Sequence, residues 1–463
     1  MERRDATPAT AAVLLSVALG GAALWLVTDS LSRSDVGMGG LTLRGNGALI
    51  VPVLGGPALL LAGAALVVLV GRRRQRIRPQ SLLAVPLALL GGWLVAGLAA
   101  PGWIAVQSPG RSGHTATLLA DGRVLVAGGM GSEAGLSSAV VHASAEVYNP
   151  STGTWAPTGR MAVPRAGHAA VRLGDGQVLV LGGTAPDATP WAELYDPSTG
   201  SWAAAPSPSM KPAELNSRAT ALGDGTVLLL GGALSAESTT AAELYDPARR
   251  TWMPTASPGS IWFFESGAEP ALLLDGRVLI VGLAAPGQRQ IAAEVYDPTR
   301  RTWSAVDPPG LEWPVVALVP LSEGRVIALG GAVHGGASVA ALYDQATGTW
   351  SATAGPAAGR YDYRALRLAD GRVLVAGGNV LAETGSGPLG LPTPSAELYE
   401  LTTRTWSATG SMGTGRVGHT LTLLVGGTVL AAGGSTRAGP LASAEVYDPR
   451  TQTWAPTGGM DAR

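Results

Sequence analysis

DGQVLVLGG (Asp175–Gly183), a short loop, and then AELYDPSTGSW (Ala192–Trp202) decide the fold, because the chain repeats this pattern seven times. Asp121-Gly122, Asp175-Gly176, Asp224-Gly225, Asp275-Gly276, Glu323-Gly324, Asp370-Gly371 and Gly426-Gly427 each stand seven residues before a glycine: Gly128, Gly182, Gly231, Gly282, Gly330, Gly377 and Gly433. A second glycine follows in six copies, and only Leu283 breaks the pair. Downstream, Tyr148, Tyr195, Tyr245, Tyr296, Tyr343, Tyr399 and Tyr447 each precede a tryptophan by seven residues: Trp155, Trp202, Trp252, Trp303, Trp350, Trp406 and Trp454.

Each copy reads as one four-stranded antiparallel sheet. The apolar run Ala169 to Leu173 is strand a, and Asp-Gly supplies the positive φ angles of a tight hairpin turn. Strand b, Gln177 to Leu181, is too apolar to have a wet face, and the glycine pair ends it where backbones approach closely. Ala192 to Tyr195 is strand c, Asp-Pro-Ser-Thr-Gly is a turn, and Ser201-Trp202 opens strand d. A lone sheet of this size cannot bury both faces, so neighbours must stack; seven stacked radially make a closed wheel. Blade 7 ends with its own Trp454 strand and nine residues follow. Repeats and blades therefore coincide, and closure falls to packing between blades, unless Gly102 to Val106 adds a closing strand.

A strand ending in Gly-Gly, then Tyr, then Trp, with a period near ~50 residues, resembles the kelch repeat. The resemblance covers roughly Arg111 to Arg463 and implies an all-β fold, a seven-bladed β-propeller. It does not imply a function, since such propellers host binding modules and enzymes. Some secreted kelch propellers are copper radical oxidases, as in galactose oxidase, which relies on a tyrosine crosslinked to a cysteine. This sequence contains no cysteine, so that activity does not transfer, and we expect no cofactor and no metal. Absence of cysteine also removes disulfides, thiolate metal sites and cysteine nucleophiles.

The head is preceded by sequence of another kind. Hydrophobic residues make up 46% of the chain and mean hydropathy is +0.24, high for a β-rich soluble protein. The first hundred residues account for it, with apolar stretches at about 11–28, 48–70 and 82–100 that predict three α-helical membrane spans. Arg72, Arg73, Arg74, Arg76 and Arg78 crowd the loop between the second and third, and such short basic loops stay cytoplasmic. Three crossings then put the N-terminus inside and the propeller outside, extracellular or periplasmic. The domains are accordingly 1–106, the membrane anchor, and 107–463, the propeller. After Val106 the chain has 23 Arg and Lys against 29 Asp and Glu, a mildly acidic head that argues against nucleic acid.

Candidate functional residues are sought where copies differ. Glu146, Glu193, Glu243, Glu294, Glu397 and Glu445 precede the tyrosine by two in six blades, and His114, His168 and His419 share one register; such repetition points to folding. Ten residues before the turn position, however, blades 6, 7, 1 and 2 carry Arg360, Arg416, Arg111 and Arg165, whereas blades 3, 4 and 5 carry Glu214, Glu265 and Trp313. In a closed ring the four arginines form one arc, with two glutamates across the channel mouth; alternatively each arginine pairs locally. The head's remaining aromatics, Trp191, Trp262, Phe263, Phe264, Trp313, Tyr361 and Tyr363, all fall in b–c loops or in d-to-a lead-ins, which emerge on one face of an antiparallel blade. The long b–c loops Met130 to Ala143 and Asn379 to Ser395 join them. Arginine forks bind carboxylate or phosphate and flat rings stack on sugars, so this rim is expected to take a protein or glycan partner; the aromatics otherwise plug gaps between loops, or dip into a bilayer. Two further readings stay open. One is a carbohydrate-active enzyme using Glu214 and Glu265 as acid and base, the other a structural partner of another membrane protein.

Overall fold

The structure is a computed structural model that describes residues 110–132, 139–183, 190–209, 217–231, 241–259, 268–284, 290–311, 315–332, 338–384 and 387–460. The expected spans at 11–28, 48–70 and 82–100 lie outside the described residues, as does the 101–106 stretch. Among the described residues no helix is long and apolar enough to cross a membrane.

Seven four-stranded antiparallel sheets account for the repeat. Blade 1 comprises strands a to d at Thr115–Leu118, Val124–Ala127, Ala145–Asn149 and Thr154–Pro157, and blade 2 those at Ala169–Arg172, Val178–Leu181, Ala192–Asp196 and Ser201–Ala205. Blade 3 uses Arg218–Ala221, Val227–Gly231, Ala241–Asp246 and Thr251–Pro254; blade 4 uses Ala271–Leu272, Val278–Leu283, Ile291–Asp297 and Thr302–Val306. Blade 5 follows at Val315–Pro320, Arg325–Gly330, Val339–Asp344 and Thr349–Ala354, and blade 6 at Arg364–Arg367, Val373–Ala376, Ala396–Glu400 and Thr405–Thr409. Blade 7, at Thr420–Leu423, Val429–Ala432, Ala444–Asp448 and Thr453–Pro456, is complete within its own repeat.

The core lies between blades. Successive strand-b residues point to opposite faces, so Val178 and Val180 pack toward blade 1 while Leu179 and Leu181 pack toward blade 3. All four are fully buried, which is why strand b reads as an unbroken apolar run. Each of the seven buried clusters straddles one blade junction. Burying a Val or Leu side chain fully contributes about 1.5–3 kcal/mol, so every junction is held by several such side chains.

The tyrosine and tryptophan staple each blade to the one before it. They face each other across strands c and d, ring centroids 4.9–5.1 Å apart and tilted. In most blades a polar tip also reaches backwards: Tyr447 Oη meets Thr409 Oγ1 at 2.6 Å, and Trp454 Nε1 donates to the Gly410 carbonyl at 2.8 Å. Trp202, Trp252, Trp303 and Trp406 make the same indole bond to the preceding blade.

The same contacts close the ring. Trp155 Nε1 donates to Thr457 Oγ1 at 3.3 Å, Gly113 N donates to the Gly418 carbonyl, and one cluster joins Val124, Val126 and Tyr148 to Leu424, Leu430 and Met460. Blades 7 and 1 thus meet as any two blades do.

Two sequence expectations change. In the Asp-Gly turns only the glycine takes positive φ, between 83° and 94° in six blades, while blade 5 has both Glu323 and Gly324 there. The aspartate instead caps the turn: Asp175 Oδ1 accepts the Gln177 amide at 3.0 Å, and Asp121, Asp224, Asp275 and Asp370 do likewise. The long b–c loops, moreover, carry strands of their own. Met130–Ser132 pairs with Ala139–Val141, and Asn379–Thr384 pairs with Gly387–Pro392 and with Arg360–Tyr361.

Candidate functional site at the channel mouth

Each lead-in arginine is drawn into its own blade. Arg416 Nη1 donates to the Gly433 and Ser443 carbonyls at 2.8 and 3.0 Å, and Nη2 donates to Glu445 Oε1 at 2.6 Å. Arg111 with Glu146, Arg165 with Glu193 and Arg360 with Glu397 repeat the geometry at 2.8, 3.2 and 2.7 Å. The carboxylate then holds the incoming backbone: Glu445 accepts the Gly413 amide at 2.6 Å, and Glu397 the Ala357 amide at 2.7 Å.

The arginine's carbonyl in turn accepts the amide of the second glycine of the preceding blade, Gly129 to Arg165, Gly378 to Arg416 and Gly434 to Arg111. A Cβ on Gly377 would stand 2.7 Å from the Arg416 carbonyl oxygen. The repeated glycines, glutamate and arginine are therefore one interlocking unit. Where it lapses, as at Leu283, strand b simply runs on and pairs Leu283 with Ile291.

Arg111, Arg165, Arg360 and Arg416 are all buried, so the expected arc does not offer its forks to solvent; it has the local pairing of the alternative reading. Burial pulls each guanidinium below its ordinary pKa, and the partner glutamate opposes this. Trp191 and Tyr363 are likewise buried plugs. Trp191 belongs to the core between blades 2 and 3, and Tyr363 to that between blades 5 and 6, with its hydroxyl donating to the Gly330 carbonyl at 3.0 Å. Tyr361 is half-buried, its hydroxyl against Gly390 of the added hairpin. Glu214, Trp262, Phe263, Glu265 and Trp313 lie outside the described residues, as does Phe264.

A different set of residues lines the channel itself. Strands a surround a cavity of about 550 Å³ that is lined by residues of blades 1 to 7, among them Arg218, Glu269, Asp362 and Arg364. The column six residues before the turn reads Thr115, Ala169, Arg218, Glu269, Ala317, Arg364 and Thr420. Sequence reasoning missed it. The signal was three charges in a column otherwise held by threonine and alanine, on strands that face a ring axis.

Arg218 Nε lies 3.5 Å from Glu269 Oε1 and donates to the Ala268 carbonyl at 3.0 Å. Arg364, from across the ring, experiences Glu269 and Asp362 as opposing charges and Arg218 as a like one; burial outweighs them and holds its pKa below the usual guanidinium value. Asp362 has φ 53°, the left-handed conformation that Gly113, Gly167 and Gly418 take at the same register. The histidines beneath form links between blades: His114 Nε2 meets Thr420 Oγ1 at 3.1 Å, and His168 Nε2 meets Thr115 Oγ1 at 2.8 Å. Burial drives both imidazoles down to about 3, with nearby arginines adding to it, so they are neutral at physiological pH.

The kelch motif model matches residues 164–209 and 418–460. A solved structure of a novel fungal alcohol oxidase with catalytic diversity among the AA5 family, in complex with copper, is 18% identical with a TM-score of 0.55, covering 71% of this chain and 71% of its own. The structure of YjhT is 12% identical with a TM-score of 0.46, covering 77% of this chain and 99% of its own. No curated protein matches the chain.

Among the described residues no donor set fits the copper of the alcohol oxidase. The sequence has no cysteine, and no three His, Asp or Glu gather as ligands among the described residues. His114 and His168 spend Nε2 on threonines, and His419 is wedged against Gly377.

Proposed function

Because this chain is a kelch-repeat β-propeller, we propose that it is a membrane-tethered, extracytoplasmic recognition module that captures a protein or glycan partner on the face carrying the b–c loops and d-to-a lead-ins. One observation carries this reading. The blades are near copies where they pack, and their departures gather at one mouth: the added hairpins of blades 1 and 6, the half-buried Tyr361, and the charged channel. A rigid scaffold with variable loops on one rim is how repeat folds present binding surfaces. The apolar stretches at 11–28, 48–70 and 82–100 support the tether.

Replacing residues 379–392 by a short turn tests the face. Partner co-purification with the full-length chain should fall while the seven-blade core persists; undiminished capture would refute the assignment. For the tether, the chain should stay in the membrane pellet through alkaline carbonate, and protease added outside intact cells should digest the propeller. Release into the supernatant, or protection from external protease, would overturn it.

A further inference from the structure

The ring's arginines fall into two kinds by what their donors do. Arg111, Arg165, Arg360 and Arg416 each direct several donors onto carbonyls and a buried carboxylate. Arg364 donates one long bond, Nη1 to the Tyr363 carbonyl at 3.3 Å. The residue itself lines the 550 Å³ cavity. A guanidinium has five donors in a planar fork suited to carboxylate, so Arg364 retains nearly all its capacity for an incoming anion.

The surroundings favour a carboxylate ligand that also brings hydrogen-bond donors. Glu269 is 63% exposed on its side chain and is held to one side by Arg218 at 3.5 Å, so its oxygens can still accept from hydroxyl or amide groups. Asp362 keeps its left-handed backbone where blades 1, 2 and 7 use glycine. A non-glycine residue there costs on the order of 1 kcal/mol, and such strain clusters at functional sites.

We propose that the channel mouth is a carboxylate-binding site in which Arg364 takes the carboxylate and Glu269 takes a donor on the same ligand. This rests on the recognition reading above and names its chemistry. The carboxylate comes either from a free small acid or from an acidic side chain of a bound protein.

Calorimetry on the purified full-length chain distinguishes the two sources with D-glucuronate and a blocked tetraglutamate peptide, using D-glucose as the neutral control. Whichever acid binds names the source, and glucose should not bind. Arg364→Gln should weaken that acid by at least about tenfold with an unchanged melting temperature, since Arg364 contributes one weak bond to the fold. Glu269→Ala removes the acceptor for the ligand's donor and should weaken it as well. Binding that survives Arg364→Gln, binding unchanged or tightened in Glu269→Ala, equal binding of glucose, or no binding of either acid at about 10 mM overturns the site. Partner capture through residues 379–392 is a separate readout, so loss of the carboxylate site and loss of the recognition face register independently.

Discussion

Arg416→Ala separates the structural arginines from the binding ones. In the folded ring Arg416 satisfies the Gly433 and Ser443 carbonyls and neutralises Glu445, whose carboxylate is almost wholly enclosed. Truncation leaves that carboxylate buried beside two amides but without its cation. Removing one partner of a buried pair costs roughly 3–5 kcal/mol. For a propeller of about 350 residues the unfolding entropy is about 0.7 kcal/mol/K, so the melting temperature should fall by roughly 4–7 °C. Differential scanning calorimetry reads this directly. Replacing both members, Arg416→Met with Glu445→Leu, should recover most of the loss, because the uncompensated charge is gone. A drop below about 1 °C accompanied by lost carboxylate binding would refute the assignment and return Arg416 to the ligand.

Other outcomes follow from single contacts. His114 and His168 have folded pKa values near 3 against 6.5 unfolded; the unfolded chain therefore binds more protons below pH 6.5, and stability falls as pH drops from 6.5 toward 3. Each histidine contributes about 1.4 kcal/mol per pH unit across that window, and His168→Gln should flatten the slope of melting temperature against pH. Arg250→Gly should stabilise the ring by ~0.5–1 kcal/mol in chemical denaturation, since Arg250 has φ 53° at a turn position where blades 1, 2 and 5 have Gly153, Gly200 and Gly348. Trp454→Phe removes the indole bond to Gly410 and should cost about 1 kcal/mol, seen as faster hydrogen exchange at the junction of blades 6 and 7.

The sheets were legible because their causes recur. Gly-Gly, Glu, Tyr and Trp each serve a junction between blades, and the copies write them at the same offsets, Tyr and Trp in all seven and Gly-Gly and Glu in six. That repetition misled only where a repeated residue looked chemically active. The arginine column departs in blades 3, 4 and 5, yet Arg111, Arg165, Arg360 and Arg416 turn inward because Glu146, Glu193, Glu397 and Glu445 wait two residues before each tyrosine. The channel charges were illegible for the opposite reason. Arg218, Glu269 and Arg364 do not repeat one residue type from blade to blade, and they sit far apart in sequence; only ring closure brings them to one axis. Asp362 was hidden by its neighbours, since two tyrosines flank it and draw the eye, while its backbone conformation shows only in three dimensions.

Photo-crosslinking in native membranes tests the recognition face most directly, with a crosslinking residue placed at Met130 on the b–c face or at Val425 in an a–b turn opposite. Both side chains are open to solvent, 37% and 78% exposed. Partner adducts from Met130 and none from Val425 are the expected result; adducts from Val425 with none from Met130 would contradict it.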